Sequence, residues 1–169
     1  KGFISEDNKQ LGVQAYIPHI NTSGVKMEDI TISLDNQDDA LDFSMYALHH
    51  LPKDNPTAAK LGDIKTTIRV TAAHDEVDLS LELGNTDSVR NEGNINISSH
   101  ITRYLDQPKL DIQIKPTHII LNDSAWTISP TNLTYTHATN SLDIHQLRLE
   151  TAYQSIKANG RASKEKTDS

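Results

Sequence analysis

At 169 residues and 18.8 kDa, the chain has room for one domain or two small ones. It has no cysteine, which excludes disulfide staples, iron–sulfur clusters, thiolate zinc sites and cysteine nucleophiles. With 23 acidic against 16 basic residues, a formal charge of −7 and no basic stripe, it offers nucleic acid no footprint.

From residue 25 onward, apolar and polar residues alternate with period two, the mark of strands with one apolar and one wet face. Ile30, Ile32 and Leu34 form the first loose run, and Leu41, Phe43 and Met45 the second. Residues 48–62 hold Pro52 and Pro56 and predict the main loop insertion, with one helical turn at Thr57-Ala58-Ala59-Lys60. Ile64 to Ala72 then alternates through Ile68 and Val70. Three cleaner strands follow. In the first, Val77, Leu79, Leu81 and Leu83 are separated by Asp78, Ser80 and Glu82. In the second, Ile95, Ile97 and Ile101 stand within Asn94 to Ile101. In the third, Leu110, Ile112 and Ile114 are separated by Asp111 and Gln113. Leu142 and Ile144 open a run whose phase slips by one residue around Gln146, which predicts a bulge. Lys164 to Ser169 read as a charged tail.

Turn residues separate these runs about every 8 to 12 positions, as all-β folds require. They are Asp35 to Asp39, His74-Asp75-Glu76, Gly84-Asn85, Glu92-Gly93-Asn94, Asn122-Asp123-Ser124, Ser129 to Asn132 and Thr139-Asn140-Ser141. No window longer than two turns keeps a helical apolar period. No run reaches the roughly 18 apolar residues of a membrane span, and Lys1 opens neither a signal peptide nor a natural start, so the chain reads as a piece of something longer.

An apolar row recurring on strand after strand needs a cover, because each buried aliphatic side chain is worth about 1.5–3 kcal/mol. No amphipathic helix is visible to supply it. A second sheet would make a sandwich, which composition alone favours, although sandwiches fill their centres with aromatics and these are only 5% of this chain. The third cover is not protein: a sheet curled into a trough whose aliphatic floor takes acyl chains.

Residues 83–103, from Leu83-Gly84-Asn85 through Gly93-Asn94-Ile95 to Thr102-Arg103, resemble a segment of the TamB-like proteins of the Bacteroidota, within the AsmA/TamB group of bridge-like lipid carriers. Ile119 to Pro130, Leu133-Thr134-Tyr135, Leu142-Asp143-Ile144 and Tyr153 to Ser163 continue the likeness, which spans roughly residues 77–163. The resemblance implies an all-β fold: an antiparallel curled sheet, or elongated β-taco, with an apolar interior. It also implies a periplasmic location within a protein anchored in the inner membrane. Two roles come with it: a hydrophobic groove for phospholipid transport between the inner and outer membranes, and support of outer-membrane protein assembly. Residues 1–169 are then a single β-rich central segment. The partners are phospholipid acyl chains and, through regions outside this segment, an outer-membrane barrel protein like BamA or TamA. The segment's ends invite self-association. On this reading the lipid-lining residues are Leu79, Leu81, Leu83, Ile95, Ile97, Ile101, Leu110, Ile112 and Ile114.

Chemistry has little purchase on the sequence. His49-His50 beside Asp54, and His74 with Asp75 and Glu76, lack the spacing of a metal site and read as solvated loop residues. His100, His118, His137 and His145 fall on strands, with His100 facing water. Asp35 to Asp39 lack the glycine and terminal glutamate of a calcium loop. There is no Gly-Xaa-Ser-Xaa-Gly elbow, and the expectation is a non-enzyme without metal or cofactor. The alternative is an extracytoplasmic β-sandwich that binds carbohydrate or mediates adhesion, with Trp126, Tyr104 and Tyr135 as its stacking platform.

Overall fold

A computed structural model describes residues 1–4, 10–22, 25–37, 39–51, 62–85 and 89–163. Where alternation is clean, the chain is strand, and thirteen strands join in one antiparallel sheet. They are β1 (Gly2–Ile4), β2 (Leu11–Thr22), β3 (Val25–Gln37), β4 (Ala40–His50), β5 (Ile64–Ala73), β6 (Glu76–Asn85), β7 (Glu92–Tyr104), β8 (Gln107–Ile114), β9 (Thr117–Leu121), β10 (Ser124–Ile128), β11 (Thr131–Thr136), β12 (Ser141–Glu150) and β13 (Ser155–Ser163). One 3₁₀ turn, His137–Thr139, joins β11 to β12, and among the described residues there is no α-helix. Strands β1 to β5, from the first 76 residues, belong to the same sheet as the rest, and β2 forms from a stretch ahead of the alternation visible in the sequence.

Left-handed backbone closes the hairpins, as two-residue turns require. Asn122 and Asp123 have φ of 51° and 60° between the paired residues Leu121 and Ser124. Leu105 and Asp106, with φ of 50° and 59°, do the same between Tyr104 and Gln107, although Leu105 carries no turn signal. His74 has φ of 55° between Ala73 and Glu76, as its turn assignment requires.

Several sequence expectations change, and Gly84-Asn85, with turn composition, ends strand β6 paired with Lys65 and Ile64. Glu92-Gly93-Asn94 is no turn: it opens β7 and pairs with β6 on one side and β9 on the other, because flanking strands supply partners that local propensity does not register. His49 and His50 end strand β4 and do not begin a loop, since they continue its ladder with β3 and β5 or β3 alone. His137 lies in the 3₁₀ turn, not on a strand. Ser129-Pro130 interrupts a strand without reversing it. Residues 52–61 of the expected loop insertion, with its helical turn at Thr57 to Lys60, and the charged tail lie outside the described residues.

Pro116 and Pro130 explain why thirteen strands follow eleven consecutive runs. β8 and β9 lie along the same edge of β7, with Ile114 opposite Ile97 and Ile119 opposite Gly93, so they are one run interrupted at Lys115-Pro116. β10 and β11 are likewise one run interrupted at Ser129-Pro130, and the two runs face each other in a single register. Proline has no N–H to give a ladder, so the bonding lapses where the two interruptions meet. Their outer bonds persist: Lys115 N–H donates to the Asn96 carbonyl at 2.9 Å, and Ser129 N–H to the Arg148 carbonyl at 3.0 Å. The topology is therefore an unbroken up-and-down meander with β1 and β13 at its edges.

Extra residues also come in rows. Relative to β7, the β8–β9 run carries one additional residue; the β10–β11 run and β12 match it, and the register shifts back against β13 between Ile144 and Leu147. Gln146, with φ of 56°, is the extra residue in β12, at the phase slip visible in the sequence. A second row runs through β2 and β3, where Asp29 (φ 53°) stands opposite Pro18 and the register shifts against β4 between Glu28 and Thr31.

Candidate functional site

Residues directly opposed in an antiparallel ladder point to the same face. Starting from Leu79, the ladder runs through Val70, Phe43 and Leu34 to Val13 on one side, and through Ile97 and Ile114 to Thr131 on the other. Seven aliphatic or aromatic side chains on consecutive strands thus form one row, with Thr131 at its end. Thr131 is 1% exposed, and its hydroxyl donates to the Ser129 carbonyl at 3.0 Å, so it presents no free polar group. The face continues through Leu133 and Ile144, and through Ile128 and Leu149 to Ile156. Eleven runs at about 4.8 Å spacing make a strip about 48 Å long, crossing the strands at right angles.

The bulge rows keep this face apolar. A one-residue slip in a strand sends every later side chain to the other face. Here the apolar pattern slips at the same positions: Ile30 gives way to Met27 in β3, Ile114 to Ile119 across β8–β9, Ile128 to Leu133 across β10–β11, and Ile144 to Leu147 in β12. Because neighbouring strands slip together, the register between them is kept even where the prolines interrupt the bonding.

All nine of the residues predicted to line a lipid path lie on this face. Leu79 opposes Ile97, which opposes Ile114; Leu81 opposes Ile95; Ile101 opposes Leu110; Leu83 opposes Gly93; and Ile112 stands between Ser99 and Leu133. None is fully buried, and Leu83 and Ile101 are 37% and 39% exposed. Among the described residues only Ile30, Ala47 and Ile128 are buried hydrophobics. The accessible surface is 11731 Å², against about 8,300 Å² for a compact monomer of 18.8 kDa. Among the described residues, no second protein layer seals the aliphatic face.

The other face is polar and internally paired. Arg69 meets Glu82 at 2.8 Å, Thr71 donates to Asp42 at 2.7 Å, and Lys115 reaches Asp78 at 3.6 Å. Asp111 accepts from Lys109 and Thr134, both at 2.9 Å, and the Lys109 ammonium foremost holds its carboxyl below the usual carboxylate range. His100 is exposed on this face, 3.4 Å from Asp75. A depression of about 400 Å³ lies here between Glu76, Asp78, Ser98, His100, Asp111 and Lys115, and no group of His, Asp and Glu among the described residues is arranged to hold a metal.

One polar cluster was not visible in the sequence. His50 Nε2 lies 2.7 Å from Glu28 and its Nδ1 lies 2.9 Å from Asp63, while Lys26 also pairs with Glu28. A ring bonded to carboxylates at both nitrogens must donate from both, so its pKa is raised, first by Glu28 and then by Asp63. Glu28 is correspondingly lowered, by Lys26 and then by His50. These residues come from three different strands or their ends, and only pairing brings them together.

The three aromatics of a sugar platform do not converge. Tyr135 lies on the apolar face opposite Leu110, and Trp126 lies on it opposite Ile119, nine positions away along one run and hence about 30 Å apart. Tyr104 points to the polar face. Comparison with protein-family models, with curated proteins and with solved structures finds no match.

Proposed function

We propose that this chain is a segment of a periplasmic lipid conduit, built as the TamB-like resemblance implies, whose apolar face carries phospholipid acyl chains between the inner and outer membranes. The observation that carries this reading is the strip itself: aliphatic, about 48 Å long and, among the described residues, without a second layer over it. Each methylene removed from water on such a surface contributes about 0.8 kcal/mol. The contacts are nearly equivalent from one strand to the next, so a chain can slide without being trapped. The work is partitioning, with no bond made or broken. Anchoring in the inner membrane and contact with an outer-membrane barrel protein fall to other parts of the longer protein, and support of barrel assembly is the second role. Among the described residues β1 and β13 form the edges of the sheet, where further strands can add, from flanking segments or from a second copy.

Native mass spectrometry of the purified chain, run beside displacement of a fluorescent fatty acid, tests the reading. Bound phospholipid that the probe displaces, and that Ile97→Asp abolishes, is the expected result. A lipid-free chain that ignores the probe overturns it. In the longer protein, Leu81→Asp is expected to stop lipid transport while the protein remains assembled across the periplasm.

A further inference from the structure

At the level of Leu83 the apolar face loses a side chain. Its partner across the ladder is Gly93, and the next residue over is Ile119, which leans across the glycine. A Cβ at Gly93 would stand 2.5 Å from Ile119 Cγ2 and 3.0 Å from its Cβ, so no larger residue fits without moving that side chain. What remains is a pocket of about 110 Å³ lined by Ile64, Leu83, Gly93, Ile95, Ile119 and Leu121.

The pocket offers a ligand almost nothing polar. Asn91 and Glu92 border it, but their side chains are engaged: Asn91 donates to the Val89 carbonyl at 3.2 Å and accepts from Asn122 N–H at 2.9 Å, and Glu92 pairs with Arg90. Asn91 is 7% exposed, and with Asn85 and the turn at Asn122 it forms a bonded knot beyond the pocket's floor. Leu83 and Leu121, by contrast, stand 37% and 42% exposed at its rim. A Leu- and Ile-lined cavity of about 150 Å³ stays dry and takes up benzene. By the same proportion this one accommodates about four carbons.

We infer that the pocket over Gly93 seats the terminal carbons of a straight alkyl chain, giving the strip one fixed resting point where the rest of its surface offers many equal ones. This inference rests on the lipid reading above. The lining excludes a headgroup, which would leave its polar atoms unpaired, and the small aliphatic pocket bounded by Ile119 and Leu83 suits a chain end.

Trp126, the only tryptophan, opposes Ile119 in the ladder and reports on the pocket. Two bromopalmitates, one brominated on the terminal carbon and one on the carbon next to the carboxylate, are titrated against the chain while calorimetry gives their occupancy. At equal occupancy the terminal bromine is expected to quench Trp126 at least threefold more strongly. Gly93→Ala pushes Ile119 aside and so reshapes the pocket, which is expected to bring the two acids to parity, and Ile95→Phe serves the same end by narrowing the pocket if the alanine variant does not fold. Equal quenching of the unmodified chain, with both acids bound, overturns the seat and leaves the strip intact. Failure of both acids to bind overturns the lipid reading and the seat with it.

Discussion

Strands β4 to β7 and strands β8 to β12 present the same apolar face by different means. In the first group each ladder keeps one register from end to end: Leu79 opposes Val70 and Ile97, Leu81 opposes Ile68 and Ile95, and strict alternation does the rest. In the second group two prolines and Gln146 add a residue to three neighbouring runs at one level, and the apolar pattern of each shifts to match. The contrast shows that a regular period is not needed for a continuous apolar face. What is needed is that neighbours slip together, because an isolated slip breaks the ladders on both sides.

Deleting Gln146 alone should have the largest effect, since it sends either Leu147 and Leu149 or Leu142 and Ile144 to the polar face. A loss of about 3 to 5 kcal/mol is expected in urea unfolding. Deleting Pro116, Pro130 and Gln146 together restores strict alternation in all three runs and should recover most of that loss, a strong departure from additivity. If the triple deletion is worse than the single one, the rows are not coupled as described. In the regular group, Leu81→Asp places one charge on the apolar face without touching register, and should cost about 2 kcal/mol in the same measurement. A smaller loss there than at Gln146 separates side-chain chemistry from strand phase.

The polar face adds a pH-dependent contrast. The His50 pKa is raised in the fold, so its contribution is full below the ordinary histidine value of 6.5 and fades as pH climbs through the raised one. Glu28 is lowered, so its contribution is full above the ordinary value of 4.5 and fades as pH falls through the lowered one. The cluster is therefore at full strength between these two values. His50→Gln should lower the melting temperature most at about pH 6 and least at about pH 9. An equal deficit at both would show that the ring acts by packing alone. Pro116→Ala is the mildest change, costing about 0.5 kcal/mol through the freer unfolded chain.

Much of the fold was legible because period two is a local signal. The runs at Val77 to Leu83, Asn94 to Ile101 and Leu110 to Ile114 are strands, all nine predicted lining residues share one face, and the slip at Gln146 is a bulge. Errors arose where a residue's neighbours in space outweigh its neighbours in sequence. Glu92-Gly93-Asn94 has turn composition, yet strands on both sides hold it extended. Leu105 lacks turn chemistry, yet the pairing of Tyr104 with Gln107 leaves two residues to reverse the chain and forces it left-handed. His50 looked like a solvated loop residue because Glu28 and Asp63 are distant in the chain.

The sequence by itself determined that the chain is all-β and which residues of each clean run share a face, since alternation along an extended backbone permits no other assignment. Tertiary structure alone decided that the phase slips of adjacent runs fall at one level, that Ile119 lies over Gly93, and that the apolar faces of the described strands merge into one strip. Each of these depends on which strand lies beside which and in what register, and hydrogen bonding between distant segments sets that.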